Sequence, residues 1–412
     1  MSRFLFVVPP LVGHVNPAVS VAAELTRCGH RAAWAGLPGF VGELAGPDAE
    51  VYPCDVPTLP ERPAALRGAA ALRFLWEEFL VPLAGAMAPG VRRAVEGFRP
   101  DVVVADQQTL AGALVAERLG VPYATASTTP AEFSDALDGM PKVAQWTAGL
   151  VAELRARLGD PGRTHDPRFS PDLVLSFTTP ELAGPGPQLP QLRYVGPAFT
   201  GRPAADFPWD WLDEHRATVL VSLGTANTDL GARFLAECAA AARERGRRLQ
   251  AVLADPGGVL DQESDADLLV LPRIPQLPLL RRASAMVSHA GQNTVAECLW
   301  HGVPLVVAPI RDDQPLIAAQ VTGAGAGVRV RFGRADRRRI GAALDAVLDG
   351  PAYRAAARRV GDSFRAAGGA AAAAAYLEKF AAQKPRAPQE SRAPQESRAP
   401  QESREPQESR ER

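Results

Sequence analysis

Cysteine is scarce in this chain, and its four copies, Cys28, Cys54, Cys238 and Cys298, are scattered with no pair at metal-ligand or redox-motif spacing. That excludes a disulfide framework or a thiolate cage and fits packing residues in a reducing cytosol. Long apolar runs are missing as well, for nothing approaches the roughly 20 residues that a membrane-spanning helix needs. The opening MSRFLFVVPP is too short an apolar stretch for a signal peptide and leads straight into a structured pattern. Charge of one sign is also absent: 45 Lys and Arg meet 46 Asp and Glu, for a formal net charge of −1. Without an excess of either sign there is no electrostatic footprint for nucleic acid or an anionic membrane surface. No G-x-G-x-x-G follows the first apolar strand, which argues against a dehydrogenase. The expectation is a soluble cytoplasmic protein with no nucleic-acid partner and no membrane insertion.

What is present is alternation. Apolar strands and helical patterns follow one another almost from end to end, the mark of an α/β fold with parallel sheets. With 412 residues, 46% of them hydrophobic and 22% charged, the chain can bury two sizeable cores. The first series reads as strand Phe4–Pro9, a loop through Gly13 and His14, and a helix with Asn16 as N-cap and Pro17 at its first position. Further strands at Arg31–Ala35, Asp101–Ala105, Val121–Thr125, Leu173–Thr178 and Arg193–Val195 close a domain over residues 1–195. The proline- and tryptophan-rich stretch 196–216 keeps no period and reads as an interdomain linker. A second α/β series, residues 217–383, opens with the strand Thr218–Leu223 and ends with helices Arg337–Asp349 and Ala352 to about Phe380. Over residues 384–412 RAPQES recurs with a period of six residues, without apolar side chains. Such text cannot offset its ordering entropy by burial, so the expectation there is a disordered tail.

The most informative stretch is Ser288–Gln314, SHAGQNTVAECLWHGVPLVVAPIRDDQ. It reads as a strand end, a glycine turn, a helix capped by Asn293 or Thr294, a return strand and a polar loop. Gly302 falls at the expected helix stop and Pro304 blocks continuation. A helix start of this kind offers free N–H groups and a partial positive charge to phosphate. His289 and Thr294 add side-chain donors there, and Glu297, three residues beyond Thr294 on the same face, can accept from ribose hydroxyls. Asp313 and Gln314 follow the next strand and border the same crevice. A diphosphate flanked by two polyols, that is a nucleotide sugar, suits such a site.

This segment resembles the donor-binding signature of the GT-B glycosyltransferases of the UDP-glucuronosyl/UDP-glucosyl transferase type. It is most similar to the bacterial branch that glycosylates macrolides, polyketides and other natural products. The pattern H-x-G-x-x-T-x-x-E, then G-V-P, then D-Q is filled in order by His289, Gly291, Thr294, Glu297, Gly302, Val303, Pro304, Asp313 and Gln314. The resemblance implies two Rossmann-like domains facing each other across a cleft, with the last helix crossing back to the first domain. It also implies that His289 and Thr294 hold the diphosphate, Glu297 the ribose, and Asp313 and Gln314 the sugar, with Gly291, Gln292 and Asn293 also in the donor site. Thr225, in Gly224-Thr225, resembles a further phosphate element. Around the nucleobase, Arg273, Ile274 and Gln276 occupy the loop in which many relatives carry a stacking tryptophan where Arg273 stands. Arg273 could stack through its guanidinium plane, or face solvent while the Ile274 backbone holds the base, so a uridine or a thymidine donor stays open.

His14, in Gly13-His14-Val15-Asn16-Pro17, matches the catalytic G-H-x-x-P element of these enzymes. An imidazole near its ordinary pKa of about 6.5 is mostly neutral at cytosolic pH and can accept a proton. Asp106, after the strand in PDVVVADQ, is the candidate that orients it. Phe74, Trp76, Phe79 and Trp146 could line an apolar acceptor pocket, although helical spacing suits a core face equally well. The implied activity is an inverting, metal-independent transfer of a sugar from a UDP- or dTDP-linked donor to a hydroxyl of a hydrophobic secondary metabolite. No cofactor is called for, and a homodimer is left open. Two alternatives remain: a nucleotide-sugar epimerase on the same fold, or a catalytically silent partner of another transferase. Intact His14 and Asp106 favour the transferase. The tail carries a prediction of its own: a chain ended at Lys384 should keep the melting temperature and small-acceptor kinetics of the full chain, and a marked drop in either would show that the repeats dock.

Overall fold

The computed structural model describes residues 1–58, 63, 66, 68–129, 140–186, 189–199, 206–224, 231–260 and 264–384. The repeat tail from residue 385 onward, and Thr225, lie outside the described residues. The first half runs β1 (Arg3–Val7), α1 (Val12–Arg27), β2 (Arg31–Gly36), α2 (Pro38–Ala45) and β3 (Val51–Pro53). It continues with α3 (Gly68–Phe74), a π-helical turn over Leu75–Leu80, α4 (Val81–Phe98), β4 (Val102–Asp106), α5 (Leu110–Arg118) and β5 (Tyr123–Ser127). Next come α6 (Pro141–Leu158), β6 (Val174–Ser176), α7 (Pro180–Ala183) and β7 (Leu192–Tyr194). The second half runs β8 (Ala217–Ser222), α8 (Ala232–Arg243), β9 (Leu249–Ala254), β10 (Leu268–Leu271), α9 (Gln276–Leu280) and β11 (Ala285–Ser288). It ends with α10 (Gln292–Trp300), β12 (Leu305–Val307), α11 (Gln314–Gly323), β13 (Gly327–Arg329), α12 (Arg337–Asp349), α13 (Pro351–Ala367) and α14 (Gly369–Gln383).

The strands form two all-parallel sheets, β3-β2-β1-β4-β5-β6-β7 and β10-β9-β8-β11-β12-β13. Covered on both faces, their central strands are apolar throughout, as in FLFV of β1 and VLV of β8. In the first sheet Phe4, Phe6, Val102 and Val104 pack towards α1 and α14, while Leu5, Val7, Val103 and Ala105 pack towards α4 and α5. The second sheet buries Leu220, Val252 and Met286 against α10, α11 and α13, and Val219, Val221 and Leu253 against α8 and α12. Both sheets reverse their winding at one point, between β1 and β4 and between β8 and β11. The carboxyl ends of strands at such a point open the crevice where α/β proteins place ligands.

Three expectations about local structure are corrected. α1 begins at Val12, so His14 sits in its first turn and Pro17 lies inside the helix rather than at its start. The helix read from Ala352 to Phe380 is two helices, broken where Gly368 and Gly369 take φ of 89° and 58°. At that break the Gly369 amide donates to the Val195 carbonyl at 2.7 Å, and a Cβ on Gly369 would meet the Pro197 carbonyl at 2.9 Å. α14 can therefore turn back and lay Ala373, Leu377 and Phe380 into the core of the first sheet. Finally, the stretch 206–216 is not bare linker: Phe207 enters the second core and the Trp211 indole donates to the Asp265 carbonyl at 3.0 Å.

Because α14 follows the second sheet in sequence yet completes the core of the first, its truncation should be felt far from the site. Leu377→Ala should cost about 2–5 kcal/mol, the usual range for a fully buried leucine, read by denaturant unfolding. A loss below 1 kcal/mol would mean that α14 merely rests on the surface.

Candidate active site

His14 and Asp106 come from opposite sides of the first winding reversal. His14 follows β1 and Asp106 is the last residue of β4, the strand paired with β1. His14 Nδ1 lies 3.0 Å from each Asp106 carboxylate oxygen. Asp106 is 2% exposed and is further held by the Gln108 amide, donating to Oδ1 at 2.9 Å, and the Thr128 hydroxyl, donating to Oδ2 at 2.9 Å. Thr128 Oγ1 is also 2.8 Å from His14 Nδ1, so the three side chains form one buried knot. An ionised carboxylate only accepts, so in the neutral ring the proton sits on Nδ1 and the lone pair on Nε2. Thr128 was missing from the sequence reading. Its signal was available: it follows β5, and in this winding β5 lies beside β4, with Ala126 paired to Asp106.

The other reversal holds His289, just after β11. Its imidazole is wedged between two glycines. A Cβ on Gly291 would lie 2.4 Å from His289 Nε2, and one on Gly224 would lie 2.8 Å from Cε1. These are the glycines of the two short motifs around the site, and the ring explains both. Ala290 between His289 and Gly291 holds φ of 66°, a left-handed conformation uncommon for a residue with a Cβ, which aims the turn into α10. Burial pushes His289 down to about 4, the nearby Arg311 guanidinium adding to it against an opposing pull from the Ser222 backbone. His289 is therefore a neutral donor at ordinary pH rather than a cation. Among the described residues its buried Nδ1 has no hydrogen-bond partner.

Gly291 is the N-cap of α10, two or three residues earlier than the Asn293 or Thr294 cap read from sequence, so Gln292, Asn293 and Thr294 all stand in the first helical turn. Gln292 is buried, and among the described residues neither polar atom of its amide has a partner. Asn293 Nδ2 reaches across to the first half and donates to the Gly13 carbonyl at 3.0 Å. Glu297 is buried one turn on, where Gln276 Nε2 donates to its Oε2 at 2.6 Å. Gln292, Asn293 and Glu297 share a crevice with Asn16, Pro17 and Thr128, bringing the two reversals face to face. Asp313 is the N-cap of α11, and Gln314 Oε1 accepts from the Ile310 and Arg311 amides at 2.9 and 3.1 Å, bracing the loop. Arg273 is exposed, and Ile274 packs on the second core. Among the described residues no three His, Cys, Asp or Glu side chains converge as metal ligands, and no helix is long and apolar enough to cross a membrane.

The aromatic residues read as an acceptor pocket are not brought to this crevice as a group. Trp76 is 2% exposed in a core with Leu80, Leu110, Leu114 and Leu154, with the Arg168 guanidinium 5.0 Å above its ring. Phe79 and Trp146 pack against the same core, and Phe74 is half-buried at the end of α3. Trp76 thus belongs to a core face, with Phe79 and Trp146 packed beside it, and the residues that cover it come from α4, α5 and α6.

Two parallel sheets meeting at their carboxyl edges, with a helix start presented to the seam, define the GT-B class of glycosyltransferases. Residues 173–363 match the family model described as UDP-glucoronosyl and UDP-glucosyl transferase. The chain is 30% identical over 408 residues to a 4'-demethylrebeccamycin synthase of Lentzea aerocolonigenes, covering 89% of this chain and 96% of that protein. It is 29% identical to a demethyllactenocin mycarosyltransferase of Streptomyces fradiae, covering 92% of this chain and 86% of the other. The crystal structure of the glycotransferase of kitacinnamycin superposes with a TM-score of 0.77 at 26% identity, over 92% of this chain and 98% of that one. The chain belongs to the UDP-glucuronosyl and UDP-glucosyl transferase family.

The buried His289 carries a pH signature. Its folded pKa, about 4, lies below the ordinary 6.5, so between these values the unfolded chain holds a proton that the folded one does not. Stability contributed by the neutral ring is full above about 6.5 and lost as pH falls towards 4. Across that window wild type should lose more unfolding free energy than His289→Gln, by an amount on the order of 3 kcal/mol at 1.36 kcal/mol per unit. Parallel pH curves for the two proteins would refute this origin.

Proposed function

We propose that the protein transfers a sugar, with inversion and without a metal ion, from a UDP- or dTDP-linked donor to a hydroxyl of a hydrophobic secondary metabolite, in the cytoplasm. The observation that carries this reading is the buried His14–Asp106–Thr128 knot facing the first turn of α10. His14 Nε2 takes the proton of the acceptor hydroxyl as its oxygen bonds to the anomeric carbon. The bond from that carbon to the diphosphate breaks on the opposite face, the electron pair leaves with the diphosphate, and the configuration inverts. Asp106 orients the ring and stabilises the imidazolium, and Thr128 holds the carboxylate. The N–H groups at the start of α10, a neutral N–H of His289 and the Thr294 hydroxyl receive the diphosphate charge. Glu297, held by Gln276, accepts from the ribose, Arg273 and Ile274 flank the nucleobase, and Asp313 and Gln314 meet the sugar. The Gln292 amide, without a partner among the described residues, is suited to a further hydroxyl or phosphate oxygen.

For the acceptor, the names of the two relatives, a 4'-demethylrebeccamycin synthase and a demethyllactenocin mycarosyltransferase, support a polyketide, macrolide or comparable natural product. Val12 and Leu37, 40% and 41% exposed just beyond the carboxyl ends of β1 and β2, suit such a molecule better than Trp76 in its core.

With a panel of UDP- and dTDP-sugars and aromatic or macrolide aglycones, in chelator, His14→Ala should lower kcat by roughly 10²–10⁴-fold, the usual worth of a positioned general base. Binding of UDP or dTDP by calorimetry should stay near wild type. Asp106→Asn should also slow transfer, and the double variant should be little slower than His14→Ala, because the pair works as a unit. A retained anomeric configuration in the product, a strict metal requirement, or near-normal turnover by His14→Ala would each remove part of the mechanism.

A further inference from the structure

Pro17 and Asn293 belong to different motifs and different halves of the molecule, yet they act on one atom. In an α-helix the amide of residue 17 would donate to the carbonyl of residue 13. Proline has no N–H, so the Gly13 carbonyl, in the first turn of α1, loses its helical donor. Even a half-buried carbonyl without a donor is costly, so its pairing has to come from elsewhere. Here the donor is Asn293 Nδ2, at 3.0 Å and 280 residues along the chain. A Cβ on Gly13 would stand 3.4 Å from the same Nδ2, an ordinary contact, so the approach does not depend on the glycine. The next residue is His14. The residue before Asn293 is Gln292, the first of the turn offered to the diphosphate.

We propose that Asn293 is a positioning residue: its side-chain amide latches the first turn of α10 to the first turn of α1, and so sets the distance between the His14 imidazole and the diphosphate. This goes beyond the sequence reading, which grouped Asn293 with the donor ligands, and it rests on the transfer reaction proposed above. An amide donating to a carbonyl of the opposite half serves transition-state geometry and contributes little to holding the free nucleotide. Pro17 is then the residue that keeps the Gly13 carbonyl available, which gives a second handle on the latch from the other side of the seam.

Asn293→Ala should lower kcat by about 3- to 10-fold, the range expected for one neutral hydrogen bond. Its affinity for UDP and dTDP, titrated calorimetrically, should stay within about 2-fold of wild type, as expected of a group felt mainly in the transition state. Hydrogen exchange of the His14 and Val15 amides, followed in a peptide covering residues 9–20, should quicken. Pro17→Ala restores an intrahelical donor to the carbonyl, so kcat should fall in the same direction by a smaller factor while the helix itself gains an N–H. Combined, the two substitutions should be no worse than Asn293→Ala alone, since both act on one carbonyl. A tenfold loss of UDP or dTDP affinity in Asn293→Ala would make it a donor ligand and overturn the latch. So would unchanged kcat, or additive losses in the double variant. If wild type transferred no sugar at all, the transferase reading would fall, and the exchange data would still decide: unchanged exchange at His14 and Val15 in Asn293→Ala would overturn the latch independently.

Discussion

The reversal of winding, made once between β1 and β4 and again between β8 and β11, is the constraint on which the site depends. Parallel strands deliver all their carboxyl ends to one edge, and the helices that follow leave to opposite sides only where the order turns. His14 and Asp106 straddle the first turn-point, and Gly224 and His289 straddle the second. Each pair is adjacent in space because its strands are hydrogen-bonded neighbours, although 92 residues separate His14 from Asp106. α14 then ties the halves by completing the first core after the second sheet is built.

The two buried histidines illustrate how surroundings divide one side-chain chemistry into two roles. His14 faces a carboxylate that can only accept, which directs its ring proton to Nδ1 and suits it to gain another proton at Nε2. His289 faces glycine backbone and a nearby guanidinium, with no carboxylate bonded to it, and burial keeps it neutral. It is placed to donate an N–H without adding a charge. The glycines at 224 and 291 follow from the second arrangement, because a side chain at either would occupy the ring's space.

The motif from Ser288 to Gln314 was legible because its strand end, turn, helix, return strand and loop follow one another directly along the chain. Its glycine, the helix stop at Gly302 and the apolar strand are dictated by neighbours a few residues away. The alternation of strands and helices, and with it the parallel α/β fold, was legible for the same reason. The start of α1 was misread because Pro17 prefers a first-turn position locally, whereas the carbonyl it leaves unbonded finds Asn293 in the other half. The break at Gly368 and Gly369 also escaped, since an alanine-rich stretch favours one helix until the Val195 carbonyl and the core of the first sheet redirect it.

By itself the sequence determined the parallel α/β fold class and the glycine turn that opens a helix after the strand ending at Ser288, since each rests on periodicity or on residues at short fixed spacing. Only the tertiary structure decided that Trp76 belongs to a core, that Thr128 completes the knot around Asp106, that His289 is held neutral, and that Asn293 is bonded across the seam. Each of these depends on what a side chain meets after two sheets have packed, and burial, desolvation and long-range hydrogen bonds have no period along a chain.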